Sequence, residues 1–224
     1  MRELVGKVRI TCRNLSRFLL VMAMSKPPKQ STKSRLLDAA IAEFSDHGFK
    51  GASLRDIAKR AHANVAAVKY HYTSKDELWR AVVAHLYGAL RGAVFSDEPP
   101  KEVNSIAETI RESTREYILF SAQNPELYRI TMFELIEGGE RLEWLANNQL
   151  REFLERTMST TVIAQEKGVF DKMVPPLNLV YIMMGAIQTL FVMAPQIERS
   201  FETDVFDAEQ VDNHIESIMR MFRL

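Results

Sequence analysis

From Leu36 onward the apolar side chains recur at intervals of three and four, with no sustained alternation of two, and that period commits the chain to helices. Leu36, Leu37, Ala40, Ile41 and Phe44 make the first stripe, and Gly48 suits the position just past a helix end, where left-handed backbone is wanted. Ser53-Leu54-Arg55-Asp56 reads as a capping box that opens a second helix, with Asp56 reaching back to the Ser53 amide. Asn64 is an N-cap for a third, short helix ending near Tyr72. Thr73-x-x-Asp76 and Ser74-x-x-Glu77 are alternative capping boxes for a fourth, which carries Leu78, Val82, Leu86 and Leu90 on one face and ends at 97–100. Beyond it the sequence predicts a helix over roughly 102–123, and Pro125 sits at the first position of another. After a break at Gly138-Gly139 come an amphipathic stretch over about 140–166, closed by Gly168, an apolar helix from Pro175-Pro176 to near Pro195, and a last helix over about 207–222. The expected fold class is all-α.

Composition limits what such a bundle does. At 224 residues, 46% hydrophobic and 26% charged, the chain has ample apolar content for a buried core. A single cysteine, Cys12, excludes an internal disulfide framework and a multi-cysteine zinc site, and suits a reducing cytoplasm. His47, His62, His71, His85 and His214 are scattered without metal-ligand spacing. There is no phosphate-binding glycine loop and no Ser/His/Asp or Cys/His arrangement, so neither a metal, a cofactor nor an enzyme activity is expected. The formal net charge of zero hides an asymmetry. Residues 1–80 hold 16 Lys and Arg against 7 Asp and Glu, and the remainder holds 13 against 22. The first part is suited to a polyanion and the second to something else.

Residues 1–30 are expected to be a basic, disordered leader: Arg2, Lys7, Arg9, Arg13, Arg17, Lys26 and Lys29 stand against Glu3 alone. The short apolar run from Phe18 to Met24 fits a signal peptide poorly, because the preceding basic region is long and no small-residue cleavage site follows. Met24 is an alternative start, with residues 1–23 an upstream extension; as a genuine arm they would touch phosphates.

The two short helices near 54–61 and 65–71, joined by a tight turn, form a helix-turn-helix or a generic helical hairpin; periodicity alone leaves the two even. Ile57 and Val68 point into the small core, and Ala58 and Ala61 let the helices approach closely. The second helix then projects its N-terminal residues outward, with Lys59, Arg60, Lys69 and Lys75 around it, an arrangement that favours a phosphate backbone. The detail decides between the two. Ala39-Ala40-x-x-x-Phe44-x-x-x-Gly48-Phe49, Ser53-Leu54-x-x-Ile57-Ala58-x-x-Ala61 and Val68-x-Tyr70-His71-Tyr72-x-x-Lys75-x-x-Leu78 together resemble the DNA-binding domain of the TetR/AcrR family of bacterial one-component regulators. His62 departs from the pattern by standing where the family has a turn glycine, which calls for a strained or left-handed histidine.

The resemblance implies a three-helix DNA-binding domain over 31–78 and a helical effector-binding and dimerisation domain over 79–224. It implies that Ser53, Tyr70, His71 and Lys75 hold phosphates or orient the third helix, and that Arg55, Asn64, Val65, Ala66, Ala67 and Lys69 lie at or beside the major groove. Arg55 is able to take a guanine, and Val65, Ala66 and Ala67 offer only apolar contact to thymine methyls. Tyr72 reads better as core. The partners implied are duplex operator DNA, a second copy joined through about 148–168 and 175–195, and a small, largely apolar effector. Tyr117, Phe120, Tyr128, Met132, Phe133, Trp144, Met184, Gln188 and Phe191 lie on the helices that would enclose that effector. The stretch 173–197 carries no charge and has the length of a membrane span, which makes a membrane-associated sensor the rival reading. Asn178, Gln188, Thr189 and three prolines weaken it as a span, so burial against the domain and a second copy is expected instead.

Overall fold

The computed structural model describes residues 31–95 and 103–224, and every regular element among them is helical. The leader, Cys12 and the expected helix end at 97–100 lie outside the described residues. In chain order the helices are α1 (Thr32–Gly51), α2 (Leu54–Arg60), α3 (Val65–His71), α4 (Lys75–Val94), α5 (Val103–Gln123), α6 (Pro125–Glu137) and α7 (Glu140–Leu145). A π-helical turn, Ala146–Leu150, carries α7 without a break into α8 (Arg151–Glu166). Then come α9 (Pro176–Val192), α10 (Ala194–Phe201) and α11 (Ala208–Phe222).

Local chemistry sets most of these boundaries. Ser31, Ser53, Asn64 and Ser74 each accept a hydrogen bond from the amide three residues on, at 2.8–3.1 Å, which satisfies one orphan donor per helix. Of the two boxes expected before α4, Ser74 is the cap. The Glu77 carboxylate reaches one residue further back, to the amide (2.7 Å) and hydroxyl (2.5 Å) of Thr73. At the start of α2, Asp56 accepts from the Ser53 hydroxyl rather than from the Ser53 amide expected of a reciprocal box. Gly168 closes α8 in left-handed backbone (φ +77°): its amide bonds to Gln165 O and that of Val169 to Ala164 O, the pair of bonds that satisfies a helix end. The apolar helix expected to end near Pro195 stops earlier. It breaks at Met193 and α10 leaves at 58°, with Pro195 in the first turn of the new helix, where a missing amide costs nothing.

α1 packs on α2, α4 and α6; α5 packs on α4, α9 and α11; and α9 also lies against α6 and α8. One continuous core runs through both halves, from Leu36, Phe44, Ile57 and Val68 through Trp79 and Leu90 to Ile118, Leu127 and Phe191. An aromatic seam ties its upper part together: Phe44 stacks on Phe49 at 6.1 Å, Phe49 meets the edge of Trp79 at 6.4 Å, and Trp79 meets Trp144 at 5.7 Å. No single helix among the described residues is long and apolar enough to cross a membrane; the bent pair α9–α10 passes only when its two parts are joined.

α1 changes direction at Gly48, whose φ of +64° is open to glycine and strained for other residues. A Cβ placed there would come within 2.9 Å of the Phe133 ring on α6. Gly48→Ala is therefore expected to lower stability by roughly 2 kcal/mol through combined strain and overlap. At Gly185, where a Cβ meets nothing within 4 Å, alanine should leave thermal unfolding of the monomer unchanged or raise it. Equal melting temperatures for G48A and the parent would remove this account of the junction.

Candidate nucleic-acid interface

α2 and α3 are held at a fixed angle by a compact set of contacts. Ile57 and Val68 are fully buried, and Ala58 and Ala61 are buried between the two helices. The turn between them is a helix end made by His62. The His62 amide bonds to Lys59 O at 3.1 Å and the Ala63 amide to Ala58 O at 2.9 Å, with His62 left-handed at φ +50°. Arg60 fastens α2 to α1 by reaching Asp46 at 3.0 Å and the buried Glu43 at 3.7 Å. Tyr72 is buried at the end of α3, and burial first, then the Glu77 charge, pushes its phenol pKa up. It belongs to the core, as the sequence suggested.

The outward face of this unit carries the residues singled out from sequence. Arg55, Asn64, Ala66 and Lys69 are exposed; Ser53, Val65, Ala67 and His71 are partly buried. Tyr70 is 85% exposed, with its ring edge-on to His71 at 5.1 Å. Lys75 differs from a free surface cation. Its ammonium lies over the Phe49 ring at 4.6 Å, and partial burial followed by the neighbouring Arg141 lowers its pKa. Lys59, also exposed, extends the basic rim.

A second feature lies in the other half. A cavity of about 320 Å³ opens among α5, α8 and α9. Its apolar wall includes Ile106, Ile110, Phe153, Phe170, Val180 and Ile187, and its polar wall includes Thr109, Ser113, Thr114, Thr157, Thr160 and Thr161. Of the nine residues expected around an effector, Tyr117 and Met184 line it. The other seven do not. Phe120 is buried in the core and Met132 is exposed. Phe133 supports Gly48, and Trp144 packs on Trp79 beneath the Arg80 guanidinium. Phe191 lies between Phe206 and His214. Tyr128 exchanges a hydrogen bond with Ser121 at 2.9 Å, and Gln188 donates to the Tyr117 hydroxyl. The sequence did hold a signal for the missed wall: hydroxyl residues at helical spacing, Thr109, Ser113 and Thr114 on α5 facing Thr157, Thr160 and Thr161 on α8. Among the described residues no group of three or more His, Cys, Asp and Glu is placed to hold a metal.

A capped helix-turn-helix with a basic, exposed second helix, mounted on an all-α body, defines a DNA-binding regulator. The comparisons with known proteins make the assignment specific. The family model described as bacterial regulatory proteins, tetR family, matches residues 36–82. The chain is 28% identical over 176 residues to the HTH-type transcriptional repressor SCO4008 of Streptomyces coelicolor, covering 79% of this chain and 86% of that one. It is 25% identical over 195 residues to the HTH-type transcriptional regulator RutR of Escherichia coli K12, covering 84% and 87%. The fold is similar to that of AibR in complex with isovaleryl coenzyme A and operator DNA, with a TM-score of 0.67 at 17% identity over 85% of this chain and 97% of that one. Residues 36–82 thus match the tetR family of bacterial regulatory proteins, and the chain is a helix-turn-helix transcriptional regulator.

The turn yields opposed expectations. His62→Gly should stabilise the fold by about 1 kcal/mol, since glycine carries no left-handed penalty. Asn64→Ala should cost about 1 kcal/mol by removing the α3 cap. A urea midpoint that falls in His62→Gly would contradict the turn assignment, and one that does not fall in Asn64→Ala would contradict the cap.

Proposed function

We propose that this regulator is a cytoplasmic repressor that acts as a homodimer on a near-palindromic operator and is released by a small effector. The carrying observation is the exposed face of α2 and α3, where Arg55, Ala66, Lys69 and Tyr70 project from a rigid, capped unit. On this reading Arg55 and Lys69, with the small apolar surface of Val65, Ala66 and Ala67, meet base edges. Ser53, Tyr70, His71 and Lys75 meet the backbone, and Asn64 orients α3. Residues 31–78 form the DNA-binding domain and 79–224 the effector and dimer domain. The similarity to SCO4008, a transcriptional repressor, supports the sign of regulation.

Support for the dimer comes from α8 and α9. Leu177, Tyr181 and Ile182 are each more than half exposed along a charge-free helix, and Val162 and Ile163 add apolar surface on α8. A second copy would cover them, and the open space around Gly185 lets two helices approach closely. Two helix-turn-helix units carried by such a pair must reach half-sites roughly 34–36 Å apart or a multiple of that spacing. The cavity of about 320 Å³ is the effector site of this reading.

Selection of bound sequences from random duplex DNA tests the function, and a two-fold symmetric motif is the expected result. Arg55→Ala should blur that motif at one position per half-site. Lys75→Ala should weaken all duplexes alike and flatten the salt dependence by about one unit per lost contact. A motif equally sharp in R55A, or a salt slope unchanged in K75A, would reassign those residues.

The dimer has its own test. Tyr181→Glu places a charge in the proposed interface and should give a folded monomer by light scattering, with operator affinity lower by on the order of 100-fold. A Y181E protein that remains dimeric would move the interface elsewhere.

A further inference from the structure

The cavity in the second half has a chemistry that identifies its ligand more closely than size does. Among the described residues its lining contains a single charged side chain, Arg156. The Arg156 guanidinium lies 4.1 Å from the centre of the Phe95 ring, which also lines the cavity, so its flat face is supported by an aromatic ring. Among the described residues no carboxylate lies within ion-pair distance of it, whereas Arg60, Arg80, Arg141 and Arg220 each hold an acidic partner. A guanidinium stacked on one face keeps its edge donors free, and that fork matches the two oxygens of a carboxylate.

The α8 side of the hydroxyl wall offers no donor to a second anion. Thr157, Thr160 and Thr161 donate their protons to the carbonyls of Phe153, Arg156 and Thr157, at 2.8, 3.0 and 2.9 Å. What these hydroxyls leave for a ligand is lone pairs, which repel a negative group and have no proton to offer it. The rest of the wall is largely apolar, and a phosphate or diphosphate placed there would lose its hydration without replacement.

From this arrangement we propose that the cavity binds a monocarboxylate with an apolar tail, its carboxylate held by Arg156 against Phe95 and its tail among Ile110, Phe153 and Ile187. The inference rests on the effector reading of the cavity and narrows it to one ligand class.

The test uses the full chain and three matched sets of probes: straight-chain carboxylates from butyrate to decanoate, and the alcohols and amines of the same lengths. Titration calorimetry and thermal shift should find carboxylates of at least one length bound about tenfold or more tightly than the matching alcohol. Arg156→Gln should erase that preference while leaving affinity for the selected operator unchanged. Ser113→Trp, which fills the cavity from α5, should abolish binding of carboxylate and alcohol alike. Three results overturn the proposal: carboxylates and alcohols binding equally, a preference that survives in R156Q, or binding confined to a polyanion such as isovaleryl coenzyme A. Operator binding is measured in the same samples. A protein that binds operator but prefers no carboxylate loses this inference alone, and one that binds no operator loses the regulator reading first.

Discussion

The contact between the Gly48 backbone and the Phe133 ring is the hinge on which the molecule is organised. It sets α1, the base of the DNA-binding unit, directly on α6, the helix whose Tyr128 bonds Ser121 on α5. Around it the charges are arranged in tiers. Arg141 lies 4.0 Å over Phe49 and bonds the buried Glu134 at 2.9 Å and Glu137 at 2.8 Å, and Lys50 at the end of α1 reaches Glu137 at 3.4 Å. Glu134 has its pKa raised by burial, and the Arg141 hydrogen bond acts against that. A buried carboxylate with one strong partner is costly to separate from it. The junction between α1, α6 and α7 therefore favours one setting over a continuum.

Below the same helix runs a second polar chain. Gln188 on α9 donates to Tyr117 on α5, a residue of the cavity wall. Ser121 bonds Tyr117 O at 2.6 Å and the Tyr128 hydroxyl on α6 at 2.9 Å, and Tyr87 on α4 meets Thr131 on α6 at 2.9 Å. Burial raises the pKa of all three phenols, to about 12 for Tyr87, so they remain neutral hydrogen-bonding groups at physiological pH. One helix thus carries both the support for Gly48 and the Tyr128 hydroxyl, which is linked through Ser121 to Tyr117 of the cavity wall. A ligand that prefers one placement of Tyr117 would shift the setting of α6 by its differential affinity, and where operator DNA prefers the other setting each would lower the other's affinity by the same factor.

The part of this that was legible in the sequence is the part written in local chemistry. Ser53, Asn64 and Ser74 cap their helices because a side-chain oxygen and an amide three residues on are neighbours in any chain. The left-handed His62 was legible because it stands where the resembled family has a turn glycine, and of the strained or left-handed residue which that called for the structure has the left-handed one. The cavity was not legible in the same way. Its walls come from α5, α8 and α9, and which face of each helix is turned inward depends on how the three pack. Trp144, Phe133 and Phe191 were aromatic residues on the right helices, and each fills the core on a different side. Bulk and apolarity select for packing, so a search guided by them finds core. The threonines that do line the wall look like ordinary helix-surface residues one at a time, and only their repetition on two facing helices marks a shared space.

The same distinction explains why the uncharged stretch 173–197 allowed two readings. Seen as composition it has the length of a membrane span. In the fold it is two helices bent 58° apart, with Leu179, Val180, Ile187 and Phe191 buried on one side of the first and Leu177, Tyr181 and Ile182 left to solvent on the other. A helix that is apolar all round must meet apolar surface all round. Within the monomer only one side is met. The helix bend limits how long a straight apolar rod can be presented to a bilayer, while a short two-sided rod suits a second protein surface. The length of α9, the open backbone at Gly185 and the absence of charge along its face are therefore the features on which the proposed dimer face rests.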